Sequence, residues 1–124
     1  MLTIAWLLLI AAFLPIVATG IAKFGDKSFD NNNPRAWSAT LSGYRARASA
    51  AQTNIFEGLP FFFAAVLFAL FAQADLQSIR NLMLIWIVLR LAYIGCYLAD
   101  KGLLRSAVWS ACFAINALIL FTAF

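Results

Sequence analysis

The chain has 124 residues, 65% of them hydrophobic, with a net charge of +4 and a mean hydropathy of +0.89. Soluble domains are about half apolar, so the composition excludes one and predicts a membrane protein folded as one compact unit. Histidine is absent, which removes imidazole-based zinc or haem ligation and any catalytic triad that needs a histidine.

In chain order, four apolar runs predict transmembrane helices over 2–22, 52–72, 79–98 and 104–124. Each holds about 20 residues, about 30 Å of helix, which matches the hydrocarbon thickness. The first run has no basic segment ahead of it and stays apolar longer than a signal-peptide core, so it reads as a retained helix. Pro15 and Pro60 fall inside the first and second runs and are expected to bend them rather than end them. Between these runs, from Lys23 to Arg45, the stretch FDNNNPRAW is dense in turn formers. Phe29 and Trp37 give it something to bury, which predicts an ordered surface loop, and residues 40–51 are expected to extend the second helix beyond the membrane. The remaining connections, 73–78 and 99–103, are short enough to join antiparallel neighbours. The fold class is therefore an all-α, up-down four-helix bundle.

Charge placement adds sidedness. Lys23, Lys27, Arg35, Arg45 and Arg47 lie in or beside the first connection and Lys101 and Arg105 beside the third, against Arg80 alone at the second. The positive-inside rule then puts connections one and three in the cytoplasm and both termini opposite. Cys96 and Cys112 lie in apolar surroundings without metal or redox spacing, and read as small hydrophobic residues.

A polar seam interrupts the second and third runs. Arg47, Asn54 and Glu57, seven and three residues apart, fall within about 80° of one another on a helix. Gln52 points elsewhere, toward another helix or subunit. Arg90, Tyr93 and Tyr97 form one face of the third run, and Arg105 opens the fourth. Arg90 stays charged at any relevant pH, and Glu57 is the one carboxylate within a transmembrane run. A Glu57–Arg90 ion pair is therefore the first contact predicted. Such a network can serve helix packing alone. Arg47 and Arg105 would still remain without carboxylates, and surplus positive charge in a cleft suits an anionic ligand.

The order Arg47, Gln52, Asn54, Glu57, Pro60, then Arg90, Tyr93, Tyr97, Arg105, resembles the MAPEG family across nearly the whole chain. This family comprises membrane-associated proteins of eicosanoid and glutathione metabolism, including microsomal glutathione transferases. DNNNPRAW with RARASAAQTNIFEGLPFF is similar to a bacterial branch of it. The resemblance implies a homotrimer in a bacterial inner membrane, with glutathione as co-substrate between adjacent subunits at the cytoplasmic-side end. By the same resemblance, Asn54 and Glu57 would hold the glutathione amine and backbone, and Gln52 would join them. Arg47, Arg90 and Tyr93 would address its carboxylates or structure the pocket, Tyr97 would line it, and Arg105 would stabilise the thiolate. Lys23 occupies a position where the family often has a basic residue. Trp6, Phe13 and Phe61–Phe63 could line a groove for an apolar electrophile, or simply face lipid and core.

One departure stands out. Family enzymes usually carry a second arginine four residues before the asparagine, and here that position is Ala50. Losing one charge-assisted hydrogen bond forfeits about 1.5–3 kcal/mol. Two functions follow: a glutathione-dependent transferase or peroxidase acting on a lipophilic small molecule, or a non-catalytic membrane protein binding a lipid or a partner, including within a larger membrane complex. No nucleic-acid partner and no metal are expected. A small multidrug transporter has a similar layout, but it needs a carboxylate in its first helix, and residues 2–22 have none.

Overall fold

The computed structural model describes residues 1–124 and is all-helical, with no strand. Its elements are α1 (Leu2–Lys23), α2 (Pro34–Ala39), α3 (Gly43–Phe71), α4 (Leu76–Leu98) and α5 (Gly102–Leu120). All but α2 are long and apolar enough to cross a membrane, which makes this an integral membrane protein. The helix of the second run starts at Gly43 rather than 52 and reaches about 43 Å, so residues 43–51 are its extension. In α5 the helix stops at Leu120, and the last four residues leave it in a turn. α1 and α3 run on through Pro15 and Pro60.

Small residues set the packing. Ala11, Ala18, Ala51, Ala65 and Ala69 are completely buried, and without large side chains there the helix backbones can approach closely. α3 and α4 form the middle, α1 packs on both from one side, and α5 packs on both from the other. Partners run in opposite order along α3 and α4: Arg47 with Leu98, Asn54 with Arg90, Phe62 stacked on Trp86. α5 buries only Cys112, Asn116 and Ile119.

Both short turns close in the same way. The Ala74 N–H donates to the Ala69 carbonyl and the Lys101 N–H to the Cys96 carbonyl, each spanning a residue with positive φ, Gln73 (59°) and Asp100 (56°). This is the left-handed cap that satisfies orphan carbonyls at a helix end. Asp75 then caps α4, accepting from the Ser78 N–H and hydroxyl.

Two arginines from the first turns of α3 complete the ends of its neighbours. Arg45 donates to the Ala22 carbonyl of α1 at 2.6 Å, and Arg47 donates to the Leu98 carbonyl of α4 at 3.1 Å. Each places a cation where a helix exposes carbonyls and the negative end of its dipole.

The first connection is an ordered platform. Trp37 is buried with Ala22 and Ala48, meets Phe29 edge-on at 4.9 Å, and donates its Nε1–H to Asp26. Asp26 also accepts from the Ser28 N–H and hydroxyl. Those bonds hold its carboxyl below the ordinary aspartate range, with Trp37 and Arg45 adding to the effect. A depressed carboxyl contributes stability that is complete above its unfolded value, about 3.9, and lost as pH falls through the lower folded one. Amide protection across residues 26–37, taken against the intrinsic exchange rate at each pH, should therefore fall only below about pH 4. Asp26→Asn should raise exchange at neutral pH and flatten that acid dependence, as hydrogen-exchange mass spectrometry would read directly.

Candidate functional site

The polar seam opens into two adjoining cavities on the face shared by α3, α4 and α5. One, of about 280 Å³, is lined by Tyr93, Tyr97, Arg105, Ser106 and Ser110. The other, of about 220 Å³, is lined by Glu57, Gly58, Phe61, Arg90, Phe113 and Asn116. Asn54 and Trp109 line both and so form the partition.

Arg90 governs the second cavity. Its side chain is 2% exposed, and its guanidinium lies 5.0 Å from the Trp86 ring and 5.5 Å from the Tyr93 ring, within cation–π range. Nη1 donates to Asn54 Oδ1 at 3.4 Å, and Nε finds no acceptor. The predicted Glu57–Arg90 ion pair does not form: Glu57 is exposed, and the one ion pair in the chain joins Arg45 to Asp26. The reason is azimuthal. The guanidinium lies against Gly58, along the ridge that Asn54 and Gly58 make four residues apart, while Glu57 points off its flank.

In the first cavity the Arg105 guanidinium rests 4.6 Å from the Tyr97 ring, and Tyr97 meets Tyr93 edge-on at 5.2 Å. No acidic side chain lines this cavity, so Arg105 is an uncompensated cation there. The other expected site residues separate. Arg47 is spent on the Leu98 carbonyl. Gln52 lines a third cavity, of about 460 Å³, between α1, α2 and α3. Ala50 is exposed on α3. Of the expected aromatic groove, only Phe61 lines a cavity of the seam. Phe62 is buried against Trp86, Phe63 packs on the core, and Trp6 and Phe13 point outward from α1. These positions follow the apolar periodicity of their helices, which sequence identity alone did not resolve.

Six site residues lay outside the expected set: Gly58, Ser106, Trp109, Ser110, Phe113 and Asn116. Asn116 is 2% exposed, and its Oδ1 has no donor. The signal was present, since Ser106, Trp109, Phe113 and Asn116 recur at three- and four-residue spacing, which is one face of a helix. A lone amide in an apolar run is itself expensive and calls for a partner.

Gly58 tests the packing directly. In a helix, alanine ordinarily exceeds glycine by about 1 kcal/mol, yet a Cβ here would collide with the Arg90 guanidinium. Gly58→Ala should therefore destabilise the protein by about 1–3 kcal/mol. In the Arg90→Met background the same change should cost nothing or stabilise. Detergent unfolding of the four proteins of that cycle checks the coupling.

The MAPEG family model matches residues 2–124. No curated protein and no solved structure matches the chain. With the match extending over all five helices and both cavities of the seam, the chain belongs to the MAPEG family.

Proposed function

We propose that this protein is a membrane-bound, glutathione-dependent transferase or peroxidase acting on lipophilic electrophiles, and that it works as a homotrimer of up-down protomers. The observation that carries this reading is Arg105, a cation without an acidic neighbour in a cavity lined by two tyrosines and two serines. A fixed cation favours the ionised, nucleophilic form of a thiol beside it. The thiol proton leaves to solvent and the sulfur lone pair forms the new bond to the electrophilic carbon. The leaving group then departs with its bonding electrons. With a hydroperoxide, the thiolate attacks the outer oxygen, an alcohol leaves, and a second glutathione converts the sulfenic acid to the disulfide and water.

Asn54, Tyr93 and Tyr97 surround the Arg105 cavity and would orient the tripeptide, with Arg90 and Glu57 behind the Asn54–Trp109 partition. Gln52 faces a different cavity of the same chain. In a trimer, that cavity would meet the Arg105 cavity of an adjacent copy, and glutathione would lie between them. The shallow burial of α5 favours such a neighbour. The crowding of basic residues at the end shared by the first and third connections supports a cytoplasmic placement for that end, and we extend this to a bacterial inner membrane.

Ala50 favours the second reading, a non-catalytic trimer that holds a lipid or a partner membrane protein in the same cleft, alone or in a larger complex. Titration of the detergent-purified protein with glutathione, followed by thiolate absorbance in the ultraviolet, separates the two. The transferase reading expects saturable binding with thiolate formation, and at least a tenfold loss of thiolate in Arg105→Ala with assembly unchanged. Absence of binding at millimolar glutathione would sink it in favour of the second reading.

A further inference from the structure

Two polar atoms at the Arg90 chamber have no partner in the chain. Arg90 Nε finds no acceptor and Asn116 Oδ1 finds no donor, although each side chain is only 2% exposed. Both residues line the chamber of about 220 Å³, and both lie inside helices long and apolar enough to cross a membrane. In a bilayer core no water is at hand, and an orphan donor or acceptor is costly. One orphan of each kind at a single chamber is the complement of one group, a hydroxyl, which accepts and donates through the same oxygen.

The other walls narrow the ligand. Glu57 lines the chamber beside Arg90, so an anion would meet a carboxylate as well as a guanidinium. Asn116 Oδ1, an acceptor, opposes it too. A neutral ligand escapes both. Phe61, Trp109 and Phe113 supply the apolar faces, with Phe113 at 5.3 Å from Phe61 and stacked on Trp109 at 5.8 Å. An aromatic ring packs well on such faces, offset or edge-on. A cavity of about 150 Å³ takes a benzene ring, so this one admits a ring that carries a substituent.

Access is from the side. Phe113 is 52% exposed and Trp109 43%, on a helix that buries only Cys112, Asn116 and Ile119. The aromatic wall of the chamber therefore faces outward from the bundle, toward hydrocarbon, and a tail on the bound ring would leave through it along α5.

We propose that the Arg90 chamber binds the ring of a neutral phenolic amphiphile drawn from the bilayer, with its hydroxyl between Arg90 and Asn116 and its apolar tail in the lipid. Asn116 sets the specificity by accepting from the O–H. The site uses neither Arg105 nor a thiol, and so is independent of the function proposed above.

The test uses the full chain in detergent, titrated with para-octylphenol and with its methyl ether para-octylanisole, which keeps ring and tail and loses the O–H. Bound copies are counted by native mass spectrometry, and affinity is read from the shift in thermal unfolding. Wild type should hold one phenol per chain and prefer it over the ether by about tenfold or more. Asn116→Leu removes the orphan acceptor and so favours folding. It should lose about tenfold or more in phenol affinity, with ether binding unchanged. Arg105→Ala, at the other chamber, should keep phenol binding within about twofold, whatever it does to thiolate formation. Equal binding of phenol and ether by wild type, no saturable phenol binding, or a preference that survives Asn116→Leu overturns the proposal. Loss of phenol binding in Arg105→Ala but not in Asn116→Leu puts the ligand in the tyrosine-lined cavity and overturns it as well.

Discussion

A guanidinium that cannot lose its charge is buried in the middle of this protein, and its chain supplies no carboxylate to meet it. Taking such an ion out of water costs several kcal/mol unless other groups compensate. Arg90 is compensated piecemeal, by the faces of Trp86 and Tyr93 and by the amide oxygen of Asn54. Gly58 is the geometric condition for all of this, because only a residue without Cβ lets the guanidinium lie against α3. Trp86 in turn stacks on Phe62 at 3.9 Å, and Tyr93 belongs to the same buried cluster, so both rings tie the cation to the apolar core. Fixing Arg90 fixes where α3 and α4 cross, and thereby where the two cavities open.

The same shortage of acid runs through the whole chain. Its five carboxylates face nine cations, and three of the five, Asp26, Asp30 and Asp75, are occupied by backbone and side-chain donors of nearby residues in a loop or a helix cap. Cations are used in two ways. Arg45 and Arg47 close the carbonyl ends of α1 and α4, a structural duty any long donor could perform. Arg90, Arg105, Lys23 and Arg35 line cavities that hold at most one acid between them. A protein that only needed tight helix packing would gain from neutralising Arg90, since unpaired buried charge lowers stability; of the other three, Lys23 and Arg105 are half-buried and Arg35 is exposed.

Much of the architecture was legible because hydropathy and length report directly on the bilayer. The four spans, the helical extension before the second span and the buried role of Trp37 all follow from local pattern. The Glu57–Arg90 pair was not legible, for a definite reason. A helical wheel gives the azimuth of each residue on its own helix but not the line along which two helices meet. Glu57 and Gly58 lie on opposite flanks of Asn54, about 60° and about 40° from it, and the crossing falls on the Asn54–Gly58 ridge and leaves Glu57 outside. The short helix α2 was hidden among asparagines, although Asn33–Pro34 is an ordinary way to begin one.

Asn54 and Trp109 deserve a mechanistic reading of their own, because each borders both cavities of the seam. On the Arg105 side the walls are phenols and hydroxyls; on the Arg90 side they include Phe61 and Phe113 with Glu57 and Asn116. Two chambers that each combine a cation and amide or hydroxyl groups with aromatic faces thus share Asn54 and Trp109 as a common wall. In the proposed reaction, a hydrophilic thiol and an apolar electrophile would meet at that shared wall. Asn54 couples them further, since the amide that borders the Arg105 chamber also accepts the hydrogen bond from Arg90.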